Sequence, residues 1–197
     1  ARKIGIPAVI ERATALGLEG PFPNELSVSL GAVAVSPINM AEAYTAFAAE
    51  GRMAKRRFIH SIKDAWGEPL FESKPDVREV LSPQNAFIMA SLMKEVVQDG
   101  TATKAKVLGR PLAGKTGTSN DERDAWFIGF TPHLVSVVYV GFDQVAPMGK
   151  FETGGRAALP VFVDYRKVVE PKYPPDDFTM PPGIVMVRVD GKTGQIA

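Results

Sequence analysis

The stretch GRPLAGKTGTSND, Gly109 to Asp121, carries two incompatible readings, and the choice between them decides the fold. Its first eight residues satisfy GxxxxGKT, a glycine-rich loop that cradles phosphates ahead of a helix. Its middle, Lys115-Thr116-Gly117-Thr118, satisfies a Lys-Thr-Gly strand motif. A phosphate loop needs a buried apolar strand in front, a flexible glycine turn, and a following helix whose N-terminal amides face the ligand. Here the preceding TATKAKVL is polar and basic, and Pro111 stiffens the would-be loop. The Gly-Thr-Ser-Asn-Asp run after Thr116 breaks a helix rather than starting one.

The surroundings favour the strand. RPLAGKTGTS, AWFIGF and HLVSVVYVGFD are rich in β-branched and aromatic residues, and the last two are joined by a short Thr131-Pro132 turn. They predict a three-strand antiparallel meander. On its edge strand, Gly117 is small enough to let a substrate backbone lie alongside. Lys115 would place a fixed positive charge beside a carboxylate, and the hydroxyls of Thr116 and Thr118 would bond it. The Thr118 amide would serve as one oxyanion donor, a contact typically worth about 3 kcal/mol in a transition state.

Helices are expected around the meander. Ser36-Pro37 opens INMAEAYTAFAAEG and Ser82-Pro83 opens QNAFIMASLMKEVVQDG, each with a serine N-cap, proline in the first turn, and Gly51 or Gly100 past the end. Their predicted core faces are Met40, Tyr44, Phe47 and Ala48 in the first, and Phe87, Ile88, Leu92 and Val96 in the second. An earlier helix spans Pro7 to Leu16 and is closed by Gly17. The segment ELSVSLGAVAV reads as extended chain, and FIHSIKDAWGEPLFES as a peripheral hairpin turning near Gly67 and ending at a Pro75 linker. A last helix is expected from Arg156 to Val169, covering the sheet with Leu159, Phe162, Val163 and Tyr165, with Pro160 in its first turn. The predicted class is therefore α+β, an antiparallel sheet covered by helices. Residues 1–170 form the main domain part, and 171–197 a proline-rich connector with a terminal hairpin.

Composition narrows the chemistry. A chain of 197 residues hides roughly 70% of its unfolded surface and so builds a real core. Lysine plus arginine (23) nearly cancels aspartate plus glutamate (22), which gives no support for a nucleic-acid groove. With no cysteine, thiol nucleophiles, disulfides and thiolate metal sites are excluded, and two lone histidines, His60 and His133, make no metal site by themselves. No apolar run reaches the roughly 20 residues a bilayer needs. The chain opens without methionine and already inside a helical pattern, ARKIGIPAVIERATALG, so it is expected to be part of something longer.

Other motif matches read as structure. Lys192-Thr193-Gly194 follows the alternating VMVRVD and fits a hairpin turn at Asp190-Gly191. Ser91-Leu92-Met93-Lys94 has Ser-x-x-Lys spacing, but it lies about two and a half turns into a helix. There the Ser91 amide is bonded to the Phe87 carbonyl and is not free to bind an oxyanion. The acidic run Asp121-Glu122-Arg123-Asp124 contains an arginine and reads as a solvated or bracing turn rather than a carboxylate pair. Trp126 and Phe127 read as core.

Several segments taken together resemble a known family. GTATKAKVLGRPLAGKTGTSNDERDAWFIGFTP, VSVVYVGFDQ and TGGRAALPVF resemble the transpeptidase domain of class A penicillin-binding proteins, within them the penicillin-binding protein 1A group. LSVSLGAVAVSPINMAEAYTAFAAEG and LSPQNAFIMASLMKEVVQDGTA look like segments of those enzymes in the same order, so the resemblance spans nearly the whole chain. It implies a serine acyl-transferase that cross-links peptidoglycan stem peptides ending in D-alanyl-D-alanine and is acylated by β-lactams, with no cofactor or metal. Lys115, Thr116, Gly117 and Thr118 match the family's third motif.

The family's active serine with its lysine, and its Ser-x-Asn motif, lie upstream of anything matched here. Neither Ser91 to Lys94 nor Ser119-Asn120 matches their positions. This chain alone is therefore expected to be inactive and to pair with a nucleophile-bearing upstream segment, whose anchor sits at the periplasmic face of the bacterial inner membrane. An outer-membrane lipoprotein activator is a further partner the resemblance allows. A D,D-carboxypeptidase or β-lactamase, and from a different class a non-catalytic β-lactam sensor or scaffold module, remain open alternatives.

Overall fold

A computed structural model describes residues 3–190 and 193–196. Its centre is a three-stranded antiparallel sheet of β5 (Ala113–Thr118), β6 (Asp124–Phe130) and β7 (Val135–Gly141), in that order, so β5 is an edge. The expected meander is therefore present, and its β6–β7 connection closes through Thr131, whose N–H donates to Leu134 O at 3.0 Å. No α-helix follows the Lys-Thr-Gly strand; a single three-residue 3-10 turn, Asn120–Glu122, leads into β6. That arrangement leaves no helix N-terminus for a phosphate at Thr116.

Among the described residues there are four α-helices, α1 (Ile6–Ala15), α2 (Pro37–Ala48), α3 (Pro83–Gln98) and α4 (Leu159–Val169), of which α2, α3 and α4 pack on the sheet. The serine caps form as read from sequence, with Ser36 Oγ accepting from Asn39 N at 3.2 Å and Ser82 Oγ from Asn85 N at 3.3 Å. Gly51, just past α2, has φ 92° and lies against the Leu81 and Ser82 backbone. A side chain there would meet both backbone strain and a collision. The Gly51 carbonyl accepts from Val80 and Leu81, which draws β4 (Val77–Glu79) alongside β1 (Arg52–Ala54) in a pairing the sequence reading did not anticipate. The hairpin of β2 (Ser61–Lys63) and β3 (Pro69–Glu72) turns at Gly67, as expected, and is solvent-exposed throughout.

Core packing corrects several helix faces. In α3 the buried row is Ala86, Ala90, Met93 and Val97, while Ile88 and Leu92 are exposed and Phe87 and Val96 are only half-buried. In α2, Ala48 is buried as expected, Ala43 and Ala46 are buried as well, and Tyr44 and Phe47 are half-buried beside Phe130. The physical reason is shared: alanine lets a helix axis approach closely, and larger side chains then reach inward from the flanks. Apolar periodicity alone weights the large residues and, in α3, misplaces the face by one position.

In α4, Leu159, Phe162 and Val163 are buried as expected, but Tyr165 is half exposed and Arg166 is fully buried instead. A π-helical turn, Gly154–Ala158, replaces the first turn of the expected helix. The segment read as extended, ELSVSLGAVAV, contains a short 3-10 helix at Leu26–Leu30 that ends in left-handed Gly31. Among the described residues no strand pairs with it, and local turns such as Gly31 N–H to Val28 O satisfy part of its backbone.

The sheet is covered on both faces. On one, Phe127 and Phe162 meet edge to face at 4.7 Å, within a cluster that includes Val97, Leu112, Ala125 and Leu159. On the other, Phe130 packs with Ala48, Ala90, Met93 and Ala113. Each fully buried phenylalanine contributes about 2–3 kcal/mol of apolar burial. The proline-rich connector returns across this second face: Asp177 pairs with Lys94 at 2.7 Å, Asp176 with His133 at 2.8 Å, and Phe178 stacks edge-on against Phe130 at 5.5 Å.

The chain ends in an antiparallel bridge between Val189 and Ile196. Gly191 and Lys192 of the expected hairpin turn lie outside the described residues, as do Ala1 and Arg2 of the opening helical pattern. Among the described residues no helix is long and apolar enough to cross a membrane.

Candidate functional site

The exposed edge of β5 is the candidate site, and antiparallel pairing dictates what it offers. Lys115 lies opposite Ile128 and Gly117 opposite Trp126, and the next odd-numbered residue, Ser119, donates its N–H to Asp124 O at 3.2 Å. Backbone groups alternate sides along a strand, so the odd residues bond to β6 while the N–H and C=O of Gly114, Thr116 and Thr118 face outward. An edge strand presenting free amides and carbonyls can accept an extended peptide as an added strand. The Lys115 ammonium curls onto that edge and donates to Thr116 O at 2.8 Å.

The two threonine hydroxyls are held by segments far away in sequence. Thr116 Oγ1 lies 2.7 Å from Thr101 Oγ1, in the turn that follows α3. Thr118 Oγ1 accepts the backbone N–H of Gly154 at 3.0 Å, from the turn that precedes α4. Gly154 is buried against the sheet, where a Cβ would lie 2.6 Å from Gly117 O and closer still to Trp126 O. Only glycine lets that turn sit on the strand. Its neighbour Gly155 presses against Thr101 O, with an ideal Cβ only 3.0 Å away, so the Thr101 and Gly154 segments also touch each other.

Gly117 has its own packing reason to be glycine. A Cβ there would stand 3.1 Å from Trp126 Cβ, and the Trp126 ring rests edge-on against Tyr139 at 4.8 Å. Trp126 is thus half-buried beside the strand rather than core, whereas Phe127 is fully buried. The sequence gives no local sign of Thr101 or Gly154. Thr101 reads as an ordinary residue after a helix stop, and Gly154-Gly155 as a helix lead-in. Their role appears only once the chain is folded.

The remaining candidates separate from the edge. Ser91 lies inside α3, and the Lys94 ammonium is spent on both oxygens of Asp177. The acidic run braces a turn, as expected: Arg123 pairs with Asp121 at 3.2 Å, and Glu122 accepts the N–H of Phe151 at 3.3 Å through its carboxylate and that of Met148 at 3.0 Å through its carbonyl. His60 is exposed in the approach to the β2–β3 hairpin. His133 holds the connector through Asp176.

Behind the site, a buried ion network ties the elements together. Arg166 donates to Glu170, to Leu134 O at 3.1 Å and to Ser136 Oγ at 3.1 Å, while Arg110 reaches Glu170 from the approach to β5 at 2.8 Å. Glu170 is buried and bonded by both guanidinium groups, so removing either side leaves the other without its partner. The network fixes α4, the β6–β7 turn and the lead into β5 relative to one another.

Comparison with known proteins bears on this geometry. The family described as the penicillin binding protein transpeptidase domain matches residues 17–165. The chain is 42% identical over 190 residues to penicillin-binding protein 1A of Aquifex aeolicus (strain VF5), covering 96% of this chain and 26% of that protein. To penicillin-binding protein 1A of Neisseria lactamica it is 41% identical over 170 residues, covering 83% of this chain and 21% of that protein. The crystal structure of penicillin-binding protein 1A from Haemophilus influenzae superposes with a TM-score of 0.92 at 26% identity, covering 98% of this chain and 35% of that one. The chain therefore spans at most about a quarter of the length of these curated relatives.

Proposed function

Because this chain belongs to the penicillin-binding protein transpeptidase family, we propose that it supplies the substrate-binding strand of a peptidoglycan D,D-transpeptidase. The observation that carries the proposal is the outward edge of β5, where the Lys115 ammonium, two threonine hydroxyls and unpaired backbone amides lie on one short strand. A stem peptide ending in D-alanyl-D-alanine would lie along that edge. Its terminal carboxylate would be neutralised by Lys115 and bonded by the hydroxyls of Thr116 and Thr118, with Gly117 leaving room for its backbone.

The chemistry is covalent and proceeds in two steps. A serine hydroxyl attacks the penultimate carbonyl carbon, and the outward amide of Thr118 bonds the oxygen that becomes negative. The C–N bond to the terminal D-alanine then breaks, and that amine leaves with a proton. An amine from a neighbouring stem peptide attacks the acyl-serine and restores the free hydroxyl. A β-lactam enters by the same path, its carboxylate taking the place of the peptide's, but its opened ring stays attached as an acyl group.

On this proposal the serine belongs to a segment outside the present chain. The helical setting of Ser91 and the engagement of Lys94 by Asp177 support that assignment. A location at the periplasmic face of the inner membrane follows from the proposed substrate, and an outer-membrane lipoprotein remains a proposed activating partner.

The experiment uses the longer polypeptide that contains this chain, given a stem pentapeptide and an acceptor amine. Release of D-alanine with formation of the cross-linked product is expected. Release without cross-linking would instead mark a D,D-carboxypeptidase, labelling by a fluorescent penicillin without release of D-alanine would mark a non-catalytic β-lactam sensor or scaffold module, and failure to be labelled would contradict the proposal.

A further inference from the structure

The two site hydroxyls differ in how their hydrogens are set. Gly154 N–H can only donate, so Thr118 Oγ1 is the acceptor at 3.0 Å and its own hydrogen points elsewhere. Among the described residues that hydrogen finds no protein acceptor. Between Thr116 and Thr101, 2.7 Å apart, one hydroxyl donates and the other accepts, which leaves one hydrogen of the pair for an outside acceptor. Thr118 therefore has a partner on the protein side and a hydrogen to spare for an anion, and Thr116 has one as well when Thr101 is the donor of the pair.

Resting on the transpeptidase reading above, we propose that Thr101 is a positioning residue for the substrate carboxylate. Its hydroxyl donates to Thr116 Oγ1 and thereby turns the Thr116 hydrogen toward the carboxylate beside Lys115. Three observations show that Thr101 is fixed where it can do so. Thr101 is the one side chain bonded to the Thr116 hydroxyl among the described residues. Its backbone is wedged by Gly155, whose absent side chain leaves just enough room for Thr101 O. It also follows Gly100, which closes tightly on the Val96 backbone at the end of α3, so the hydroxyl is presented from a rigid helix terminus. Two hydroxyls in series polarise each other, which strengthens the outer bond to an anion. A positioning role of this kind acts on ligands that carry the carboxylate and not on the acylation chemistry itself.

The test follows from that distinction. In the longer polypeptide, acylation is measured by competition of penicillin G and of penicillin G methyl ester against a fluorescent penicillin, for the unsubstituted protein, Thr101→Val and Thr101→Ser. Thr101→Val is expected to slow acylation by penicillin G about tenfold while changing the methyl ester rate little, and Thr101→Ser is expected to restore the unsubstituted ratio. Equal loss for both ligands, or no recovery with serine, would reduce Thr101 to a structural residue and overturn the inference. Unchanged rates for Thr101→Val would overturn it as well. If the unsubstituted polypeptide is not labelled at all, the transpeptidase reading fails and the inference falls with it, whereas labelling with an unaltered ratio sinks the inference alone.

Discussion

Gly154 donates its backbone N–H to Thr118 Oγ1 at 3.0 Å while lying so close to Gly117 O that a Cβ would stand 2.6 Å from it. The turn before α4 and the candidate binding strand are therefore one packed unit. Gly154→Ala must either push the turn away or bend β5. Overpacking of this kind costs about 1–3 kcal/mol. The expected outcome is a lower melting temperature together with slower acylation by penicillin in the longer polypeptide. An alanine variant with unchanged stability would show that the turn does not rest on the strand.

The buried network behind the site makes a second prediction. Glu170 bonds both Arg166 and Arg110, and all three belong to segments that set the start of β5. Glu170→Gln keeps the shape but leaves two guanidinium groups facing a neutral amide. Breaking a buried pair from one side typically costs about 3–5 kcal/mol. Chemical denaturation should report a loss of that size, and a change below about 1 kcal/mol would mean that water reaches the arginines.

Alkaline stability is set in part by Tyr44. Burial pushes its phenol from 10.0 up to about 12. The folded state therefore favours the protonated form: the contribution is fully present below pH 10 and is lost as the unfolded chain ionises between pH 10 and about 12. Over that window stability should fall by up to about 1.4 kcal/mol per pH unit from this group. Tyr44→Phe should flatten the loss in a denaturation series from pH 9 to 12. A variant with the same alkaline slope as the unsubstituted chain would place Tyr44 in contact with water.

Much of this architecture is legible in the residues. The meander, the two serine-capped helices and the rejection of a phosphate loop all follow from short-range chemistry: strand formers on either side of Thr131-Pro132, Ser-Pro at a helix start, and a helix-breaking run after Thr116. The candidate strand itself was readable because charge, hydroxyls and glycine alternate on it. What the sequence did not disclose depends on distant segments meeting. Small alanines share the buried faces of α2 and α3 with Met93 and Val97, because close approach of two backbones is a property of the pair. Arg166 reads as a surface residue until Glu170, Leu134 and Ser136 close around it. Thr101 and Gly154 become part of the site only through contacts spanning 15 and 36 residues of chain.

The most direct test of the account is the rate at which penicillin acylates the longer polypeptide when Lys115 is changed. Lys115 is the one charged side chain on the β5 strand, and its ammonium already lies 2.8 Å from Thr116 O on the edge proposed to bind the substrate carboxylate. Lys115→Ala should slow acylation by about 10² or more, because a preorganised charge at a reacting site is worth that much, while leaving the melting temperature within a few degrees. Full acylation at the unsubstituted rate by a folded Lys115→Ala protein would contradict the assignment of this strand as the binding edge.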